Sequence, residues 1–225
     1  MAEKLKQYLR TKIEGSVVTT EPFPFLYIQD FFPEDFYQKL NSIYPSESLF
    51  TSLNDKLIKP LSIEIQGRSS VAIFSRETQY TELHDYKFRS HAIEFRKFCC
   101  DFLIPLLANK LNVALPERYD DDTRFVLDRE GYIKRPHTDH PSKVFSILVY
   151  MSHSRCGTTI LKPNQEGFRD DYGYDHNFGD FQEVFDPPFQ PNCLLAFERT
   201  DTSFHCVKRV TSGESRRAIH ITVRS

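Results

Sequence analysis

From Arg124 to Val223 the chain is written in short apolar and β-branched runs separated by stretches rich in Gly, Pro, Asn and Asp. The runs are Arg124–Leu127, Tyr132–Asp139, Lys143–Met151, Thr158–Leu161, Phe181–Phe185, Cys193–Phe197, His205–Val210 and Arg216–Val223. Many short strands at close spacing, with no helix-period run between them, pair antiparallel in a sandwich or barrel rather than through parallel crossovers. The aromatic content is dominated by 20 Phe with no Trp, which suits a β core better than a helix bundle.

The first half of the chain reads differently. Residues 3–13 fit a short charged helix, and Phe25–Ile28 a strand. Pro33 opens a helix with acids in its first turn, continuing through Phe36, Tyr37, Leu40 and Ile43. Short strands are expected at Leu61–Ile65 and Val71–Phe74, then a helical pattern from about Tyr80 to Leu111 that Pro105 kinks or breaks. Arg124–Leu127 and Tyr132–Asp139, separated by a turn at Asp128–Gly131, look like a hairpin. The expected fold class is α+β, mainly β: a single domain over 1–225, with N-terminal strands and supporting helices over 1–120 and a double-stranded β-helix (jelly-roll, cupin-like) core over 121–225.

Charge and composition narrow the function classes. A formal net charge of −2 offers no general attraction to nucleic acid or an anionic membrane. The N-terminus carries no apolar signal-peptide core, and no apolar run is long enough to span a bilayer. The five cysteines, Cys99, Cys100, Cys156, Cys193 and Cys206, are scattered and lack metal-ligand spacing, which points to a reducing, cytoplasmic setting.

The chemistry-bearing residues are His137-Thr-Asp139, a distant His205, and Arg216-Arg217 at the head of the last strand pattern. Residues i and i+2 of a strand face one way, so His137 and Asp139 can grip one ion while a neighbouring strand supplies His205. Two His and one carboxylate on one face of a metal form the facial triad that holds Fe(II) with positions left open. An arginine on the following strand suits two-pronged recognition of a carboxylate. Parity separates the two arginines. Arg216 shares a face with Ala218, His220 and Thr222, a small and polar set suited to a wet site; Arg217 shares one with Ile219, Ile221 and Val223. Arg216 is favoured, and Arg217 stays open. His140 reads as a loop residue at the pocket mouth, Cys206 as packing on the face opposite His205, Cys99-Cys100 as an unpaired helical neighbour pair, and Asp120–Asp122 as a solvated turn.

From Arg124 onward the chain resembles the 2-oxoglutarate/Fe(II)-dependent dioxygenase superfamily, and within it the prolyl-hydroxylase-like branch. The matching pieces are Gly131-Tyr-Ile-Lys-Arg-Pro-His137-Thr-Asp139, Phe145-Ser-Ile-Leu-Val-Tyr-Met151, Gly157-Thr-Thr-Ile-Leu161, Pro191-Asn-Cys-Leu-Leu-Ala-Phe197, Phe204-His205-Cys-Val207 and Arg216-Arg-Ala-Ile219. Tyr27–Phe36 looks like the start of such proteins. The resemblance implies that His137, Asp139 and His205 bind Fe(II), that 2-oxoglutarate and O2 are cosubstrates, and that Arg216 binds the distal carboxylate. It also implies that Tyr150 and Thr159 add hydrogen bonds to the cosubstrate. The implied activity is hydroxylation of an unactivated C–H, with release of succinate and CO2, on a small molecule, sugar or peptide. The spacing from His205 to Arg216 is slightly longer than in many relatives. Lys162–Asp180, long and aromatic, reads equally as a lid or a crossover loop. Two other functions remain in play: a non-enzymatic jelly-roll metal-binding module and a cupin-type metal-dependent isomerase or epimerase.

Overall fold

The computed structural model describes residues 3–54, 67–74 and 87–225. The N-terminal part runs α1 (Glu3–Glu14), β1 (Phe25–Ile28), α2 (Glu34–Ser42), α3 (Glu47–Asn54), β2 (Arg68–Phe74), α4 (Arg89–Phe98) and α5 (Ile104–Leu111). The strands β3 (Asp120–Arg129), β4 (Lys134–His137), β5 (Lys143–Tyr150), β6 (Thr159–Pro163), β7 (Phe181–Phe185), β8 (Cys193–Glu198), β9 (His205–Val207) and β10 (Ser215–Arg224) follow. They form a large sheet in the order β1-β8-β5-β10-β3-β2 and a small one in the order β4-β9-β6-β7. From β3 onward the chain passes repeatedly between the two sheets, which is the double-stranded β-helix. The fold is α+β and mainly β.

Strand alternation assigns each face its role. On β10, Ile219, Ile221 and Val223 are fully buried with Ile147 and Val149 of β5 against the helices, where Leu9, Leu103, Ile104 and Leu107 are equally buried. Burying each such aliphatic side chain contributes roughly 1.5–3 kcal/mol. The opposite face looks between the sheets. There Ala218, Leu148, Tyr150, Leu195 and Phe197 pack in a second cluster, leaving room farther along for polar side chains. Asn192, in the left-handed conformation at φ 59°, exchanges side-chain hydrogen bonds of 2.8 Å with both backbone groups of Phe32. That clip ties the segment before α2 to the turn into β8.

Several elements differ from the sequence expectations. β3 and β4 do not form a hairpin: β3 pairs with β10 and β2, and β4 pairs with β9. The turn at Gly131, with φ 86°, carries the chain from one sheet to the other, and only a residue without Cβ takes that conformation freely. The regular α-helix is interrupted just before Pro105, in line with the expected kink or break, and a new helix starts with the proline in its first turn. The preceding turn, Cys99–Leu103, widens to a π-helical one in which the Ile104 N–H reaches the Cys99 carbonyl, absorbing the ring and the missing donor of proline. Asp120–Asp122 opens β3 rather than a turn; Asp121 is buried and paired with Arg96. The expected strand at Leu61–Ile65 and the start of the helix near Tyr80 lie outside the described residues, whereas Val71–Phe74 falls in β2. All five cysteines are free. No helix among the described residues is long and apolar enough to cross a membrane.

Candidate metal centre and carboxylate pocket

His137 ends β4 directly opposite His205 of β9, so the register of two short strands brings the imidazoles together with ring centroids 4.3 Å apart. Asp139 follows two residues later. Ligand atoms of the three lie within 4.8 Å of one another, and all three residues are buried. Each imidazole is held by the carbonyl of the residue two before it: Nδ1 of His137 is 2.8 Å from the Arg135 oxygen, and Nδ1 of His205 is 3.0 Å from the Ser203 oxygen. A carbonyl only accepts, so both Nδ1 atoms carry the proton and both Nε2 atoms keep a lone pair for a metal. Burial holds both imidazoles below their ordinary pKa, and the nearby lysine charges, Lys134 at His137 and Lys143 with Lys134 at His205, act the same way. They therefore stay neutral, the state in which imidazole ligates.

Asp139 accepts from the Lys143 ammonium at Oδ1 and from Ser146 Oγ at Oδ2, 2.7 Å away. Burial opposes its charge, but the Lys143 ammonium beside it more than offsets this, and the carboxyl lies below its usual range. A carboxylate has lone pairs to spare beyond these two bonds. Two neutral imidazoles and one ionised carboxylate, pre-oriented and turned to one another, fit a divalent iron.

The triad lies at one side of an open pocket of ≈ 290 Å³, near the small end for ligand sites. Tyr132, Thr158, His220 and Thr222 also line it, as does His140. Arg216 faces between the sheets on the same side of β10 as Ala218, but it lies behind the pocket wall. It is 1 % exposed, donates to Asp128 Oδ2 at 3.1 Å and Thr158 Oγ1 at 3.4 Å, and sits 4.6 Å above the Phe189 ring. Arg217 faces the helices, lying 4.2 Å over Tyr44 and donating to Asn41 at 3.3 Å. Tyr150 is fully buried, stacks on Phe189 at 4.1 Å, and accepts from the Thr158 N–H at 3.4 Å. Thr159 points the other way and donates to Asp186 at 2.8 Å; its neighbour Thr158 is the pocket threonine.

Lys162–Asp180 is fixed at its centre. The Asp170 carboxylate receives the Tyr172 and Gly173 N–H groups and lies 2.8 Å from His176 Nε2. The segment crosses the metal motif: Thr138 Oγ1 donates to the Asp170 carbonyl at 2.8 Å, and the His176 N–H donates to the Pro136 carbonyl at 2.8 Å. Gly173, at φ 74°, lies so close that a Cβ there would meet the Thr138 oxygen at 2.9 Å. Tyr172 and Tyr174 flank it, 68 % and 66 % exposed and stacked at 5.6 Å.

Sequence reasoning did not single out Arg68, Asp128, Lys143, Ser146 or Thr158. Ser146 was readable in principle, since it alternates with Leu148 and Tyr150 on the inward face of β5. Arg68 was not, because its place depends on pairing with a strand about 60 residues away.

Among solved structures, this architecture is similar to a prolyl-4-hydroxylase from Pseudomonas putida, 16 % identical over 96 % of this chain and 98 % of that one, with a TM-score of 0.55. The carbocyclase SnoK of nogalamycin biosynthesis, described as non-heme and alpha-ketoglutarate dependent, gives 0.58 at 10 % identity, covering 100 % and 84 %. A prolyl hydroxylase from Trichoplax adhaerens, solved with a hypoxia-inducible-factor peptide fragment, gives 0.51 at 18 % identity, covering 99 % and 90 %. The chain has the fold of the 2-oxoglutarate/Fe(II) oxygenases. No family profile matches it, and no curated protein matches it in sequence. A prolyl-hydroxylase-like double-stranded β-helix thus carries a His-Asp-His cluster beside an arginine-backed pocket.

Proposed function

We propose that this protein is an Fe(II)- and 2-oxoglutarate-dependent oxygenase that hydroxylates an unactivated C–H bond of a small molecule, sugar or peptidyl residue. The observation that carries the reading is the pairing of His137, Asp139 and His205 across one pocket with the Asp128–Arg216 ion pair behind its wall. His137 and His205 through Nε2, and Asp139 through its carboxylate, would hold the iron. When bound, it supplies O2 activation coupled to oxidative decarboxylation of 2-oxoglutarate to succinate and CO2.

The chain's own work is orientation and exclusion of water. The Arg135 and Ser203 carbonyls fix the imidazole tautomers; Ser146 and Lys143 fix the carboxylate. Phe197, 4.7 Å from His205, closes the apolar side. Arg216 attracts the distal carboxylate of the cosubstrate, and Tyr150 holds Thr158 in position for it. Thr158 replaces Thr159 in this role. Arg217 supports α2. Tyr172 and Tyr174 flank Gly173, which lines the pocket, and their stacked rings would give the substrate an aromatic surface. Similar folds include an epimerase, SnoN, solved with Fe3+, alpha ketoglutarate and nogalamycin RO, so the oxidative outcome is to be read from products.

The test is an anaerobic titration of metal-free protein with Fe(II) and then 2-oxoglutarate, following the visible charge-transfer band of the chelate. A band in the wild type that disappears in His205→Ala supports the reading. Iron binding without a band favours the metal-binding module or isomerase.

A further inference from the structure

Three strands of the large sheet place Arg68, Asp128 and Arg216 in one row, since Asp128 is the register partner of both arginines. Arg68 grips Asp128 through Nε and Nη2, the latter at 2.8 Å from Oδ2, and Arg216 donates to the same Oδ2 at 3.1 Å. Two guanidinium charges against one carboxylate leave the row with one positive charge over (2 − 1 = 1). The flanking groups do not cancel it. Tyr132, over which Arg68 lies at 4.2 Å, is neutral because burial pushes its hydroxyl up to about 12. His220 is kept neutral by burial and by the two arginines themselves.

An unbalanced buried charge is costly unless something of opposite sign meets it. Two further signs point the same way: Arg216 Nε and His220 Nε2 are buried without a hydrogen-bond partner among the described residues. The two arginines differ in access. Arg216 is enclosed, whereas the Arg68 side chain is 25 % exposed and lines the pocket beside Tyr132 and Thr158. We infer that Arg68, steadied by Asp128 and Tyr132, is the guanidinium that touches the distal carboxylate of the dicarboxylate cosubstrate, with Arg216 supplying charge from behind. This rests on the oxygenase reading and assigns a cosubstrate contact to an arginine of the edge strand β2 that the sequence motifs do not reach.

The experiment measures binding rather than turnover. Iron-loaded protein is titrated anaerobically with 2-oxoglutarate and with 2-oxovaleric acid, which carries a methyl group in place of the distal carboxylate. The wild type should strongly prefer 2-oxoglutarate. Arg68→Gln should weaken 2-oxoglutarate by roughly 30-fold or more, leave 2-oxovaleric acid nearly unchanged and leave Fe(II) affinity intact. A folded Arg68→Gln that keeps the wild-type preference overturns the inference. Should that variant not fold, wild-type protein is treated with phenylglyoxal and mapped by mass spectrometry. Arg68 should react and be protected by saturating 2-oxoglutarate; reaction unaffected by the ligand overturns the assignment. Failure of the iron-loaded wild type to bind 2-oxoglutarate at all overturns the oxygenase reading, and the inference with it.

Discussion

The two ends of the pocket solve opposite electrostatic problems with the same device. At the candidate metal end, two neutral imidazoles and a carboxylate present a set of donors suited to a cation, and each is held by a backbone carbonyl or a short side-chain bond. At the arginine end, two cations share one carboxylate and offer positive charge to an anion. In both places a side chain of opposite sign acts as a tether: Lys143 on Asp139, and Asp128 on the arginines. Pre-orientation needs such a tether, but a tether that neutralised its group fully would abolish the attraction. The difference lies in depth. The triad opens directly into the pocket, whereas only one arginine does.

Breaking the metal end should have the largest effect. Asp139→Ala removes the anionic ligand and leaves Lys143 unpaired; Fe(II)-dependent 2-oxoglutarate decarboxylation should disappear while the circular dichroism spectrum stays native. Full activity in that variant would mean the ligands are elsewhere.

At the other end, Arg216→Ala leaves Asp128 still paired with Arg68 but removes the surplus positive charge. It should weaken 2-oxoglutarate binding by roughly tenfold or more while costing less stability than leaving a buried charge unpaired would. Arg217→Ala, which loses a stack on Tyr44 and one long hydrogen bond, should cost about 0.5–1 kcal/mol and leave the 2-oxoglutarate constant unchanged. Thermal melts and binding titrations of the two variants check the ranking, and a reversed order would contradict the strand parity.

The tether at the metal end can be sharpened by Lys143→Met. Removing a partly exposed ammonium from Asp139 takes away a competitor for its oxygen and a like charge near the cation, together worth about 1 kcal/mol. Lys143 both orients the carboxylate and competes with the cation for it, and the competition should dominate. Fe(II) should then bind roughly fivefold tighter, as read by competition with a chelator; weaker binding would show that the orienting role outweighs it.

The smallest effect concerns the strap over the triad. Burial opposes the Asp170 charge, but hydrogen bonds from His176 and from the Tyr172 and Gly173 amides more than offset it, so its carboxyl lies below the ordinary value. A depressed folded pKa stabilises fully above the unfolded value of about 4 and is lost as pH falls through the lower folded one. Amide exchange at Tyr172 and Gly173, corrected for intrinsic rate, should lose protection only in that acid range. Protection already lost well above pH ~4, where the carboxylate is ionised in both states, would rule out the clip.

The strand succession and the division of β10 into a polar and an aliphatic face were legible in the sequence, because they follow local alternation that the pleat enforces. The HxD pair and the third histidine were legible only as spacing, since Asp139 lies past the end of β4 and His205 meets His137 through the β4–β9 register. The wall residues were not. Whether Thr158 or Thr159 meets the pocket turns on a one-residue phase at the start of β6, and a bulge or turn resets that phase without a local mark. That β3 leaves for one sheet and β4 for the other, that Asp128 stands between two arginines, and that Arg68 rather than Arg216 reaches the cavity were decided only by tertiary structure. Those facts come from hydrogen-bond register between strands far apart in the chain, which no single run of residues encodes.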